Sequence, residues 1–335
     1  MSGSEAPLLE VRQLRTVFGR GDAAVAAVDG VDLDIRGGRR VGLVGESGSG
    51  KSLTALSIMR LVDPPGRVEA DVLRFDGRDL LALTAPAMRR LRGRDIALVL
   101  QDPSTALSPV FAVGEQVAEV IRRHDGASRH AARSRAVELL DAVGIPAPAA
   151  RAREYPHRLS GGMRQRVAIA MALACSPRLL LADEPTTALD VTVQAQVLEL
   201  LARLAAERDM AVLLITHDLA ALAGFADEVS VMYAGRIVER GDVDDVYRAP
   251  GHPYTLALLA AQPRVRVGER RPLAAIPGLP PSPARRPSGC PFHPRCAFAI
   301  DRCRTERPEL LPVPGGSTLA ACHRSGEVVR TEVER

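Results

Sequence analysis

Residues 41–58 read VGLVGESGSGKSLTALSI: an apolar run, a glycine-rich turn and a stretch with helical patterning. The turn, Gly45 to Ser52, fits G-x-x-x-x-G-K-[ST] in full. Glycines let successive backbone N–H groups turn inward, so Gly45, Glu46, Ser47, Gly48, Ser49 and Gly50 can line a cup for phosphate oxygens. A helix opening at Lys51 aims its positive end into that cup, with the Lys51 ammonium reaching the terminal phosphates and Ser52 ligating magnesium. A buried strand that feeds a helix through such a loop belongs in an α/β fold, with a mostly parallel sheet and helices on its faces. Composition singles out the same position. Of 44 Lys and Arg residues, the only lysine is Lys51. A compact ammonium fits among phosphate oxygens where a planar guanidinium fits poorly.

The remaining pattern supplies the other strands and helices. Residues 8–44 alternate short apolar stretches with turn residues, as strands of a small sheet do. A helix is predicted from about Lys51 to Leu61, ended by DPPG, and a strand at DIALVLQD. From about Val113 to Val143, in VGEQVAEVIRRH and SRHAARSRAVELLDAVGI, apolar residues recur at three- and four-residue spacing, which predicts a helical insert. A helix near 161–174, the strand LLLA, a helix over 191–207, the strand AVLLI and a hairpin at VSVMYAGRIVE complete the alternation. The expected division is a domain over 1–262, with a helical subdomain at about 100–165. A Pro- and Arg-rich linker and a cysteine-containing region fill 263–335.

The strand in LLLADEP ends in two carboxylates. Beside a triphosphate, Asp183 can hold magnesium through water and Glu184 can serve as general base for the attacking water. Alone, this is equally a charged strand exit; the complete loop at 45–52 tips the reading toward catalysis. No run approaches the ~18 uninterrupted apolar residues of a membrane span. The opening MSGSEAPLLEVRQL lacks the basic-then-apolar pattern of a secretory signal, so a cytoplasmic location is expected. A net charge of +4 is a mild basic excess that fits a solvated surface better than a nucleic-acid partner, and no heptad run or basic arm supports one.

LSGGMRQR, Leu159 to Arg166, resembles the signature of ATP-binding cassette (ABC) proteins, and it falls between the glycine loop and LLLADEP as in that family. Gln101 in LVLQDP resembles the Q-loop glutamine, Asp190 in TTALD the D-loop aspartate and His217 in LLITHDL the switch histidine. The resemblance implies a P-loop NTPase of ABC type, with a mostly parallel core sheet, a small antiparallel sheet and a helical subdomain. It implies ATP and Mg2+ as cofactors, the metal being held through Ser52, Gln101 and Asp183. Catalytic roles fall to Glu184, His217 and Gln101. A second ABC ATPase subunit, identical or homologous, is implied as partner, its nucleotide facing Ser160, Gly161, Gly162, Gln165 and Asp190. Phe18 is assigned to stack on adenine, with a core position as the alternative.

The tail narrows the family. VMYAGRIVERG, GHPYTLALLAAQP, IPGLPPSP and CPFHPRCAFAIDRC are similar to ATPase subunits of dipeptide and oligopeptide importers, with nickel importers as close relatives. That implies a peripheral subunit on the cytoplasmic face of the inner membrane, working with two membrane permeases and, indirectly, an extracellular solute-binding protein. The alternatives are the same motor carrying nickel or another small solute, and an ABC ATPase acting on nucleic acid or ribosomes. A redox protein with a vestigial nucleotide fold conflicts with intact Lys51, Asp183, Glu184 and His217.

Four of the five cysteines lie in that tail: Cys290, Cys296, Cys303 and Cys322, spaced C-x5-C-x6-C-x18-C. A segment with so few core-forming residues needs a staple. The tight C-x2-4-C pairs usual for zinc are absent, and the spacing matches neither common ferredoxin pattern. Resemblance to the importer ATPases implies a structural [4Fe-4S] cluster, with Zn2+ and free or disulfide-linked thiols as alternatives. His293 and His323 are substitute ligands or surface residues, and Cys175 is expected to be an apolar filler.

Overall fold

The computed structural model describes residues 6–187, 189–262 and 275–327. The chain forms two compact units, one built from residues 9–34, 41–75 and 216 onward, the other from residues 35–40 and 76–215.

In the first unit the strand Leu9–Phe18 is the spine of an antiparallel sheet. Leu9 lies opposite Phe75 and Val11 opposite Leu73 in one neighbour, while Arg15 lies opposite Glu69 in the other. Strand Val25–Ile35 borders the same spine. Leu9 and Val11 are wholly buried on one face, and left-handed Gln13 (φ 50°) shifts the alternation so that Leu14 is wholly buried as well. A separate set of strands carries the glycine loop. Arg40–Val44 runs parallel to Glu228–Tyr233, with Val44 opposite Val231. Glu228–Tyr233 turns into Arg236–Asp242 through a tight hairpin with a bulge at Val231/Met232. Arg236–Asp242 then pairs with Leu319–Ala320, which in turn pairs with Leu311–Pro312, so the tail adds strands to this sheet.

The helix after the loop spans Lys51–Ile58, shorter than the expected end at Leu61. Arg60 takes a left-handed conformation (φ 50°) that stops the helix before DPPG is reached. Residues 263–274 of the expected linker lie outside the described residues. Beyond them the chain is fastened: Arg286 donates to Asp29 Oδ2 (2.9 Å) and to the Ala26 carbonyl (2.6 Å).

The second unit contains the parallel strands Ile96–Val99, Leu179–Asp183 and Ala211–Thr216, with Ile96 opposite Leu179 and Asp183 opposite Ile215. Leu179 to Ala182 and Ala211 to Ile215 are buried without alternation, the mark of parallel strands covered on both faces. The two helical stretches of the insert form two helices: Val113–Asp125 ends at left-handed Gly126 and Arg129–Ala142 starts from the Ser128 cap. Helices Gly161–Ala172 and Val191–Glu207 appear where expected. Helix Ala85–Leu91 is an addition that the apolar pattern did not announce. Among the described residues no helix is long and apolar enough to cross a membrane.

Candidate functional site

The glycine loop leaves its strand where only glycine fits, because a Cβ at Gly45 would collide with the Met232 carbonyl. Gly48 and Gly50 have φ of 80° and 107°, conformations that L side chains rarely adopt. The hairpin beneath braces the loop, Gly235 N–H donating to the Ser49 carbonyl at 2.8 Å. Lys51 is 4% exposed and donates to the carbonyls of Gly45 (2.7 Å) and Glu46 (3.0 Å). Ser47 and Gly48 form an exposed rim. Ser49 Oγ is buried and has no hydrogen-bond partner among the described residues. A buried hydroxyl in that state is costly, and a phosphate oxygen in the cup would satisfy it, so the residues present fit a nucleotide's phosphates.

In the second unit, strand Leu179–Asp183 delivers Asp183 nearly buried, at 6% exposure. Glu184 follows with φ 45°, its N–H donating to the Ile215 carbonyl at 2.9 Å. A non-glycine residue held left-handed stores local strain of the kind that collects at functional sites. The Glu184 carboxylate accepts from Gln101 Nε2 (3.1 Å) and Thr187 Oγ1 (2.8 Å). Gln101 and Glu184 were expected in separate motifs; here they meet, and Thr187 joins them although nothing in the sequence singled it out.

The signature segment also belongs to the second unit. Exposed Ser160 caps the helix Gly161–Ala172, its Oγ accepting from Met163 N–H at 3.3 Å. A Cβ at Gly162 would lie 2.9 Å from Val193 Cγ1, so glycine there serves packing, whereas Gly161 has room. Asp190 caps Val191–Glu207 by accepting from Val193 N–H at 3.0 Å. Gln165 is 2% exposed, turned inward rather than outward. In the first unit His217 is exposed just beyond its strand, and Phe18 is half-buried over Gly66, where a Cβ would lie 2.8 Å from Phe18 Cε1.

Two further residues reach the glycine loop, Tyr254 and Arg295, both hydrogen-bonded to Glu46 across sequence separations of 208 and 249 residues. No local pattern could have linked them.

The four tail thiols line one small pocket together with Phe292 and Phe298. Cys290 and Cys303 are buried, Cys296 and Cys322 half-buried, and no pair is disulfide-linked. Burial, reinforced by the neighbouring thiols, pushes Cys290 up to about 11 and Cys322 up to about 12. Among the described residues no three His, Cys, Asp or Glu side chains gather closely enough to hold a single metal ion. His293 Nδ1 meets the Cys290 carbonyl and His323 Nε2 the Glu306 carbonyl, each at 3.0 Å. Cys175 is half-buried elsewhere, its thiol also pushed up to about 11, mainly by burial.

A strand–loop–helix phosphate cup and a carboxylate held at a strand exit define the class, and comparison with known proteins gives the family. The ABC transporter family model matches residues 28–187, and that of the oligopeptide/dipeptide transporter C-terminal region matches 238–303. The chain is 50% identical over 316 residues to the dipeptide transport ATP-binding protein DppD of Escherichia coli, covering 94% of this chain and 96% of that one. It is 49% identical over 313 residues to the oligopeptide transport ATP-binding protein AppD of Bacillus subtilis, covering 93% and 95%. A solved dimeric cassette, MJ0796 in a post-hydrolysis state bound to ADP and Pi, superposes with a TM-score of 0.62 at 30% identity, covering 70% of this chain and 98% of that one. The chain belongs to the dipeptide/oligopeptide family of ABC transporter ATP-binding proteins.

Proposed function

We infer that this chain is the ATP-hydrolysing subunit of a dipeptide or oligopeptide ABC importer. The observation that carries the chemistry is the Glu184 carboxylate, held by Gln101 and Thr187 at the exit of a buried strand. In this reading Lys51 and the loop amides would grip the phosphates, and Ser52, Asp183 and Gln101 are the residues that would hold Mg2+, which would offset phosphate charge. Glu184 takes a proton from the attacking water and His217 senses the γ-phosphate. Ser160, Gly161 and Asp190 serve the nucleotide of a second cassette, and inward-facing Gln165 supports their helix. Phe18, at the end of its central strand, stacks on adenine. Replacing Glu184 with Gln should leave Mg-ATP bound and lower turnover by ~10²- to 10⁴-fold. Unchanged turnover removes Glu184 from the mechanism.

The assembly follows the same logic. Residues 1–262 form the cassette and 263–335 a linker and tail, at the inner face of the membrane. A turn in the second unit suits a permease: Val110 and Phe111 are 69% and 59% exposed. Gln116 holds this turn rigid, accepting from Ser108 N–H (2.8 Å) and donating to the carbonyls of Ser108 and Phe111 (both 2.9 Å). An apolar pair fixed in solvent fits an apolar partner surface.

For the tail we propose a polynuclear iron–sulfur site on Cys290, Cys296, Cys303 and Cys322. The four thiols line one small pocket, and four cysteines are the ligand count such a cluster takes. The group would supply a cross-link for a segment with little core of its own. Anaerobically purified protein should be brown, with iron and acid-labile sulfide and absorbance near ~400 nm; a colourless preparation containing zinc reverses the assignment.

A further inference from the structure

The tail contains a buried arginine whose carboxylate partner lies in the phosphate loop. Arg295, between Cys290 and Cys296, is 8% exposed. Its guanidinium forks onto Glu46, Nη1 to Oε2 at 2.6 Å and Nη2 to Oε1 at 2.8 Å. Nε donates to the Pro277 carbonyl (2.8 Å), and Nη1 also donates to Tyr233 Oη (3.3 Å). Bidentate pairing is the strongest arrangement available to these two groups and fixes direction as well as distance.

Glu46 is gripped elsewhere as well. Its N–H donates to Tyr254 Oη at 2.7 Å, and its carbonyl accepts from Lys51 Nζ at 3.0 Å. Amide, carbonyl and carboxylate of one loop residue are therefore all held, the carbonyl by Lys51 five residues on and the other two by residues more than 200 positions away. The holders are themselves immobilised. The Tyr233 and Tyr254 rings lie 4.6 Å apart, and Phe292, from the cysteine segment, sits 5.2 Å and 5.3 Å from them. In a chain with six Phe, four Tyr and no Trp, three aromatic rings are concentrated behind this one loop residue.

We propose that Arg295 is a positioning residue for ATP binding: through Glu46 it sets the backbone of the phosphate loop, so that the cysteine-bearing tail preorganises the nucleotide site. This rests on the ATPase reading above. Arg295 points at Glu46, not at the cup, and acts only through it. A loop held in its binding conformation avoids an ordering cost when ligand arrives, so losing the hold appears as weaker binding more than as slower chemistry.

The test uses the full-length chain, titrated calorimetrically with Mg-ADP, alongside ATPase kinetics. Arg295→Ala should weaken ADP binding by about 10-fold or more and raise KM for ATP by a similar factor, with a smaller change in kcat. Arg295→Lys, which keeps charge but loses the fork, should recover part of the affinity. In a Glu46→Gln background, Arg295→Ala should add less than about a twofold further loss, since coupled residues are non-additive. Arg302→Ala breaks an exposed tail pair with Glu306 and should leave affinity unchanged. A folded Arg295→Ala chain that binds Mg-ADP like the parent, or losses that add fully with Glu46→Gln, overturns the proposal. Should Arg295→Ala fail to fold, parent-like affinity in both Arg295→Lys and Glu46→Gln overturns it equally. A parent chain that binds neither Mg-ADP nor Mg-ATP refutes the ATPase reading itself, which is a separate result.

Discussion

Two helix starts in this chain, at Lys51 and at Gly161, are finished to different degrees. The loop ahead of Lys51 is wrapped by its own chain: Tyr254 and Arg295 hold Glu46, Gly235 holds Ser49, and Lys51 is 4% exposed. The start at Ser160 is bare. Its hydroxyl caps the helix, Gly161 next to it has an open side, and neither leaves the solvent. The contrast teaches which half of the chemistry is internal. In the proposed reading the first cup is completed in cis, whereas the exposed start at Ser160 would be completed by the nucleotide of a second cassette.

The sharpest way to break the contrast is Ser160→Arg. A bulky cation at the bare start should cut ATP turnover by ~10²-fold while Mg-ADP affinity of the isolated chain stays within about twofold. A parallel loss of affinity would mean that the signature serves its own chain's nucleotide, and the contrast fails. A milder change, Ser160→Ala, removes one helix cap. It should cost about 1 kcal/mol and show as a small drop in Tm.

The smallest effect probes the wrapping of the first cup from further away. Glu239 is wholly buried and accepts from the N–H groups of Gly251 (2.5 Å) and His252 (3.0 Å). His252 caps the helix that presents Tyr254 to the loop, its Nδ1 accepting from Tyr254 N–H at 3.0 Å. Burial raises the Glu239 pKa from 4.5 to about 7. The folded chain therefore binds this proton more tightly than the unfolded one. Stability from this group is complete below pH 4.5 and is lost as pH rises to about 7. Glu239→Gln cannot ionise, so its Tm relative to the parent should climb across that window and then level off. His252, pushed down to about 3 by burial, titrates in the opposite sense but is common to both chains and cancels in the difference. A pH-independent Tm difference would remove the assignment.

How much of this was readable beforehand follows from sequence distance. The loop from Gly45 to Ser52 is a local instruction, since eight consecutive residues specify backbone shape, helix start and cation together. The strands around Asp183 were readable for the same reason, unbroken apolar runs being the imprint of burial on both faces. The split of the insert at Gly126 was legible as the break between its two periodic stretches. Contacts made by folding alone were invisible. Thr187 on Glu184 depends on a left-handed turn, and Arg295 on Glu46 joins positions 249 residues apart. Gln165 looked outward as part of a motif, yet its place in the helix turns it inward.

The short strand Leu319–Ala320, lying against Glu239 and Arg240, has a consequence for the integrity of the product. Without it, Arg236–Asp242 would be a naked β edge with apolar Ile237 and Val238, a template for docking another chain. The last residues of the sheet thus act as a guard rail against clumping, and a chain cut just before Leu319 would suffer in solubility.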